Sequence, residues 1–65
     1  MTLADIQKRL DKIAALAGDP ESAHVAEDQL HDALLKFLAR RDDEVGALCR
    51  LALQSDAIEF QRWYA

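Results

Sequence analysis

Hydrophobic residues recur at intervals of three and four along most of the chain, which is the spacing of one face of an α-helix. Thr2 precedes the first series, and threonine commonly accepts a backbone hydrogen bond at a helix N-terminus. Asp5 lies in the first turn of the predicted helix, where a negative charge is favourable. Gly18 comes after the series and suits the left-handed conformation that ends many helices. The series comprises Leu3, Ile6, Leu10, Ile13 and Ala17, with Leu16 beside it. This pattern predicts a helix over residues 3–17.

A second helix is predicted to begin at Pro20. Asp19 is a good N-cap, and Pro is preorganised for the first helical position, where its missing N–H costs nothing. The apolar stripe that follows comprises Ala23, Ala26, Leu30, Ala33, Leu34, Phe37 and Leu38. The predicted helix covers residues 20–41, with a break near Asp42. Because the link to the first helix is short, the two helices should form an antiparallel hairpin.

A third helix is predicted over residues 43–54. Its apolar face comprises Val45, Leu48, Cys49, Ala52 and Leu53. Gly46 makes this helix less stable by up to about 1 kcal/mol than Ala would, or else it permits two helices to cross closely. The expected fold is all-α, a single domain over residues 1–65 built as a three-helix bundle, in which the hairpin packs with the third helix.

The C-terminal segment 56–64 holds three of the four aromatic residues. Asp56 and Glu59 have the spacing of a capping box, which predicts a short helix or turn. Ile58 and Phe60 also alternate as they would along an extended tail. A short aromatic helix and an extended tail both remain open for this segment.

Composition and charge narrow the class of protein. The net charge of −4 argues against nucleic acid as a direct partner, because phosphate binding needs clustered Lys and Arg. A single Cys permits no internal disulfide and suits the reducing cytoplasm. Neither a signal peptide nor a membrane span is predicted. A chain of 65 residues buries only about 60% of its unfolded surface, so a homo-oligomer is expected.

Two histidines and two carboxylates lie at helical spacing in the second predicted helix. His24 with Asp28, and Glu27 with His31, are i,i+4 pairs. The two histidines stand about 10.5 Å apart along the helix axis, and the His-x3-His spacing that binds zinc from one helix is missing. Two interpretations stay open. The imidazoles either hydrogen-bond the nearby carboxylates at the rim of the core or share a zinc-like metal across a dimer.

No cofactor and no enzymatic activity are predicted. The sequence contains neither a Gly-rich phosphate loop nor a nucleophile–base pair. Cys49, on the predicted buried face, should behave as a small hydrophobe.

Four residues are candidates for contact with another protein. Leu35 and Leu51 fall outside the main stripes and indicate a second apolar surface. Trp63 and Tyr64 either cover the core or act as binding anchors. The leading hypothesis is a non-enzymatic protein–protein interaction module that binds through an acidic or apolar face. The alternative is a metal-binding helical protein that uses His24, Glu27, Asp28 and His31.

Three stretches, 5–10, 23–31 and 58–65, resemble a group of short phage- and prophage-encoded proteins. The similarity is carried by the Ala-His-x-x-Glu-Asp motif that begins at Ala23 and by the Arg-Trp-Tyr-Ala ending. The resemblance implies a bacterial cytosolic setting and a phage accessory role. It supplies no mechanism and no site residues.

Overall fold

A computed structural model describes residues 1–62, which form three α-helices and one turn of 3₁₀-helix. The helix α1 spans Leu3–Ala15, α2 spans Pro20–Leu38, and α3 spans Glu44–Leu53. The 3₁₀ turn covers Gln54–Ala57. No residue within 1–62 lies in a β-strand. The all-α prediction with three helices is confirmed.

Each α-helix begins with a side chain that accepts a hydrogen bond from the first turn. The Thr2 hydroxyl accepts from the N–H of Asp5, and the Asp5 carboxylate accepts from the N–H of Thr2 at 2.8 Å, which completes a capping box. The carboxylates of Asp19 and Asp43 each accept from the backbone N–H three residues later. These bonds occupy N–H groups that have no partner inside the helix, so the helix starts follow from local sequence.

The helices end earlier than predicted, by two residues in α1 and three in α2. The expected left-handed stop at Gly18 is wrong, because no glycine within residues 1–62 has a positive φ. The N–H groups of Ala17 and Asp19 instead donate to carbonyls three residues earlier. At the end of α2, Arg40 and Arg41 do the same. Tightened turns of this kind satisfy the terminal carbonyls without a left-handed residue.

The C-terminal segment begins in a 3₁₀ turn that ends at Ala57 and is not helical from there to residue 62. The 3₁₀ turn continues directly from α3 and receives no side-chain cap, so the predicted capping box of Asp56 and Glu59 does not start a helix. Ile58 has an extended backbone, and residues 59–62 are not helical. Trp63 and Tyr64 lie outside the described residues.

The three helices form an open bundle that is one layer thick. The helix α2 contacts both α1 and α3, but α1 and α3 do not contact each other. The backbone extends over 39 × 33 × 9 Å, and the short dimension is that of a single layer of helices. Among the helices of residues 1–62, α2 therefore has a neighbour on each of two sides, whereas α1 and α3 have one helical neighbour each.

The core of this layer is small. Within the part of the chain that the structure describes, Leu30 of α2 and Cys49 of α3 are the buried apolar side chains. Leu3 is 87% exposed and Leu10 45%, although the stripe of the first helix predicted both in the core. Val45 and Leu48 are also exposed, against the prediction. These assignments fail because α1 and α3 each have one helical neighbour, which covers only part of an apolar face.

Candidate functional site

The exposed side of α3 is mostly apolar. Only Glu44 and Arg50 are charged among its ten residues. Gly46 and Cys49 are buried, and Leu53 is half-buried. The remaining large apolar side chains are 42% exposed at Val45, 61% at Leu48 and 65% at Leu51. A helix that is apolar all round is normally covered on every side, whereas α3 is covered only in part.

We call this exposed surface the α3 outer stripe, defined as Val45, Leu48, Leu51 and Ala52. Val45, Leu48 and Ala52 follow one another at helical intervals of three and four, and Leu51 lies beside Leu48. Exposed Glu44 lies one turn before Leu48 on the same side of α3, but the four side chains of the stripe are uncharged. Such a surface can bind another apolar surface, but it offers no group for acid–base or metal chemistry.

The orientation of α3 is set by a tight corner between α2 and α3. Nη1 of Arg50 donates hydrogen bonds to the backbone oxygens of Ala39 at 2.7 Å and Arg41 at 2.9 Å. A Cβ atom at Gly46 would overlap the carbonyl oxygen of Arg41, so this corner requires glycine. Arg50 therefore satisfies carbonyls at the end of α2 while Gly46 allows α3 to approach them. This arrangement explains the glycine that the sequence places inside a helix.

Asp43 connects the two ends of the same corner. Its carboxylate accepts from Nε of Arg41 at 3.0 Å, and also from Nη2 of Arg41 and from the N–H of Gly46. The Arg41 guanidinium, followed by the Gly46 N–H, lowers the pKa of Asp43 from 3.8 to about 2. The same ion pair raises the pKa of Arg41. Asp43 is thus charged while it caps α3.

An open groove of about 870 Å³ lies beside the α3 outer stripe, between α2 and residues 55–62. Its apolar lining includes Leu35, Ala52 and Phe60. Ala52 also belongs to the stripe, so the groove and the stripe are continuous. The carboxylates of Asp28, Asp32 and Asp56 border the groove.

Arg62 holds the non-helical wall of this groove, which residues 58–62 form. Its guanidinium carbon lies 3.8 Å from the centre of the Phe60 ring, a cation–π contact. Nη2 of Arg62 also donates to the backbone oxygens of Ser55 and Ile58. These contacts tie the non-helical segment back to the 3₁₀ turn.

The structure brings together one of the two predicted histidine–carboxylate pairs and not the other. Nε2 of His24 lies 3.7 Å from Oδ1 of Asp28, and both side chains are nearly half exposed. Glu27 and His31 are exposed, and no ion pair joins them in residues 1–62. Across those residues, no three His, Cys, Asp or Glu side chains are grouped so that they could hold a metal ion. Of the two predicted pairs, His24 and Asp28 approach each other in the described structure, at a distance longer than a hydrogen bond.

Two of the four predicted interaction residues lie on helices of the described chain. Leu35, on α2, is 36% exposed at the groove, and Leu51 belongs to the α3 outer stripe. Trp63 and Tyr64 lie beyond the described residues. Val45 and Leu48 were missed, because their spacing with Cys49 suggested a common buried face. The sequence did hold a signal for them, since eight of the ten residues of α3 are uncharged and apolar or glycine.

No helix within residues 1–62 combines the length and the apolar character needed to cross a membrane. Cys49 is buried and forms no disulfide within the described chain. Comparison of the chain with protein-family models, with curated proteins and with solved structures gave no match.

Proposed function

We propose that this chain is a non-enzymatic protein–protein interaction module whose binding surface is the α3 outer stripe. The observation that carries the proposal is the exposure of Val45, Leu48 and Leu51 on one short helix. Contiguous exposed apolar surface is typical of protein-binding sites. The tight α2–α3 corner supports the proposal, because a fixed helix loses little conformational freedom when it binds.

The negative charge of the chain disfavours binding to other negatively charged molecules. Residues 19–32 contain five acidic residues and neither Lys nor Arg. With a net charge of −4, the chain repels other acidic molecules, and nucleic acid is excluded as a partner in this proposal. Binding through the uncharged stripe of α3 is compatible with that repulsion.

The proposed setting is the bacterial cytoplasm, with an accessory role in a phage or prophage. The free thiol of Cys49 suits a reducing compartment. The accessory role is supported by the resemblance of residues 23–31 and 58–65 to phage-encoded proteins.

The proposal is tested by affinity capture with matched variants. The full chain, a Leu51→Asp variant and a Leu3→Asp variant are immobilised, and bound proteins from the bacterial host are quantified by mass spectrometry. Leu3 is 87% exposed and belongs to α1, which does not contact α3, so it controls for the loss of an exposed leucine. We expect at least one protein to bind the wild type and Leu3→Asp about tenfold more than Leu51→Asp. Identical capture by all three proteins would contradict the proposed surface.

A further inference from the structure

We infer that the open groove between α2 and residues 55–62 binds a short basic segment of another protein. An apolar side chain of that segment lies on the groove floor, and its Lys or Arg side chains pair with the carboxylates at the border. The groove is a second binding surface, beyond the α3 outer stripe of the proposed function, and the two surfaces share Ala52. Binding at the groove does not depend on whether the stripe has a partner.

The groove has the length and the apolar floor that a short peptide segment needs. Its α2 wall extends from Val25 to Leu35, which is roughly 15 Å along the helix axis. An extended chain covers this distance with about five residues. Leu53 of α3 and Phe60 of the non-helical wall add apolar surface, and Leu35 and Phe60 are 36% and 58% exposed. An apolar side chain that enters the groove therefore meets apolar surface on both walls.

The border of the groove is acidic on both sides. Asp28 and Asp32 lie one turn apart on α2, and Asp56 lies on the 3₁₀ turn. The hydrogen bond to Asp32 raises the pKa of Lys36, and the charge of Asp56 adds to this increase. The carboxylates of the two walls therefore act on the same region. Within residues 1–62 they are not grouped so that they could hold one metal ion, which favours a ligand with separate cationic groups.

Two cations of the chain lie near this border, and both are engaged. Nζ of Lys36 lies 2.7 Å from Oδ2 of Asp32. The guanidinium of Arg62 contacts the Phe60 ring and donates to two backbone oxygens. Three carboxylates and one guanidinium line the groove, so the lining attracts a basic segment and repels an acidic one. An incoming ammonium group can replace Lys36 at Asp32, whose side chain is 41% exposed.

Fluorescence anisotropy with a labelled hexapeptide of alternating lysine and leucine measures the first expected result. In an extended chain successive side chains point to opposite sides, so the leucines can face the floor while the long lysine side chains reach the border. At about 0.15 M salt, the wild type should bind this peptide at least about tenfold more tightly than a peptide with glutamate in place of lysine. A peptide with serine in place of leucine should also bind about tenfold more weakly, because it leaves the floor uncovered.

Two triple variants that lose the same charge locate the binding site. Both replace three carboxylates by amides, and the carboxylates of the control are exposed and lie away from the groove. The groove variant should bind the lysine–leucine peptide about tenfold more weakly than the control, although the two proteins have equal net charge. Circular dichroism verifies that both remain helical. The groove variant combines Asp28→Asn, Asp32→Asn and Asp56→Asn, and the control combines Asp11→Asn, Asp42→Asn and Glu44→Gln.

Nuclear magnetic resonance keeps the site testable if the groove variant fails to fold. Titration of the lysine–leucine peptide into the isotope-labelled wild-type chain should shift the amide signals of Val25, Leu35 and Phe60, which line the groove. The signals of residues 3–10 on α1 should not move, since none of these residues lines the groove. Leu51→Asp should bind the peptide as the wild type does, because Leu51 is not among the described lining residues.

Four results would overturn the groove as the binding site. They are no binding of the lysine–leucine peptide to the wild type, equal binding of the glutamate peptide, equal affinity of the two triple variants, and binding that Leu51→Asp abolishes. A peptide that does not bind, combined with capture of a host protein that Leu51→Asp abolishes, would refute the groove and leave the proposed function standing. Peptide binding at the groove, combined with identical host-protein capture by wild type, Leu51→Asp and Leu3→Asp, would refute the stripe and leave the groove standing.

Discussion

Replacing Gly46 by Ala tests whether the α2–α3 corner depends on the close approach of two backbone segments. The new Cβ would overlap the carbonyl oxygen of Arg41 and lie 2.8 Å from its carbonyl carbon. Because those atoms belong to the backbone, no change of rotamer relieves the overlap. The corner must open, which also lengthens the hydrogen bonds that Arg50 donates to Ala39 and Arg41.

The expected loss of stability follows from three terms. Ala favours the interior of a helix by about 1 kcal/mol over Gly. Forcing an extra methyl group into a closed contact costs about 1–3 kcal/mol, and weakening the hydrogen bonds of Arg50 costs about 1 kcal/mol more. The free energy of unfolding should therefore fall by about 1–3 kcal/mol. In a domain of this size each kcal/mol lowers Tm by about 4–8 °C.

Gly18→Ala is the matched control for this substitution. Nothing lies within 4 Å of a Cβ built at Gly18, and its φ is not positive. The same chemical change should raise the free energy of unfolding by about 0.4–1 kcal/mol, because it restricts the unfolded chain. Urea unfolding followed by circular dichroism, at one protein concentration, measures both variants. A Gly46→Ala protein as stable as the wild type would refute the account of the corner.

Three further predictions concern charge and ligand binding. Asp43→Asn removes a carboxylate whose pKa is lowered to about 2 in the folded state. Because the folded state binds the proton of Asp43 more weakly than the unfolded state does, the charged carboxylate stabilises the folded state above about pH 4. This stabilisation disappears as the pH falls toward 2. The gap in urea midpoint between wild type and Asp43→Asn should therefore shrink from about pH 5 to pH 2, and a constant gap would contradict the ion pair with Arg41. Arg50→Met retains the aliphatic stem but loses two hydrogen bonds, so it should lower the free energy of unfolding by about 1 kcal/mol. Arg9→Met, at an exposed position of α1, is the control and should change the free energy of unfolding little. Adding EDTA or zinc should leave Tm unchanged, because no group of three metal-binding side chains forms in residues 1–62. A rise in Tm with zinc would support the metal-binding alternative.

The candidate site was only partly predictable from sequence. Helical spacing placed His24 beside Asp28, since the geometry of i,i+4 pairs is local. It equally paired Glu27 with His31, which do not form an ion pair in the described structure. Side chains at this spacing are within reach of each other, but whether they meet depends on rotamers and solvent, which sequence does not specify.

Local sequence alone determined where the helices of this protein begin. Thr2, Asp19 and Asp43 each cap a helix through a bond to a residue three positions away, so no distant part of the chain is needed. The choice of helix over strand also followed from the spacing of apolar residues, which repeats within each segment.

Only the tertiary structure decided which apolar residues are buried. Leu30 and Leu48 occupy apolar positions of equally plausible helices, yet Leu30 is 6% exposed and Leu48 61%. The difference arises because α2 lies between two helices whereas α3 has one neighbour. Helical periodicity identifies an apolar face, but the number of neighbours that cover it depends on how the helices are arranged in space. A single layer instead of a closed bundle leaves the outer side of α3 exposed, and the proposed function depends on that arrangement.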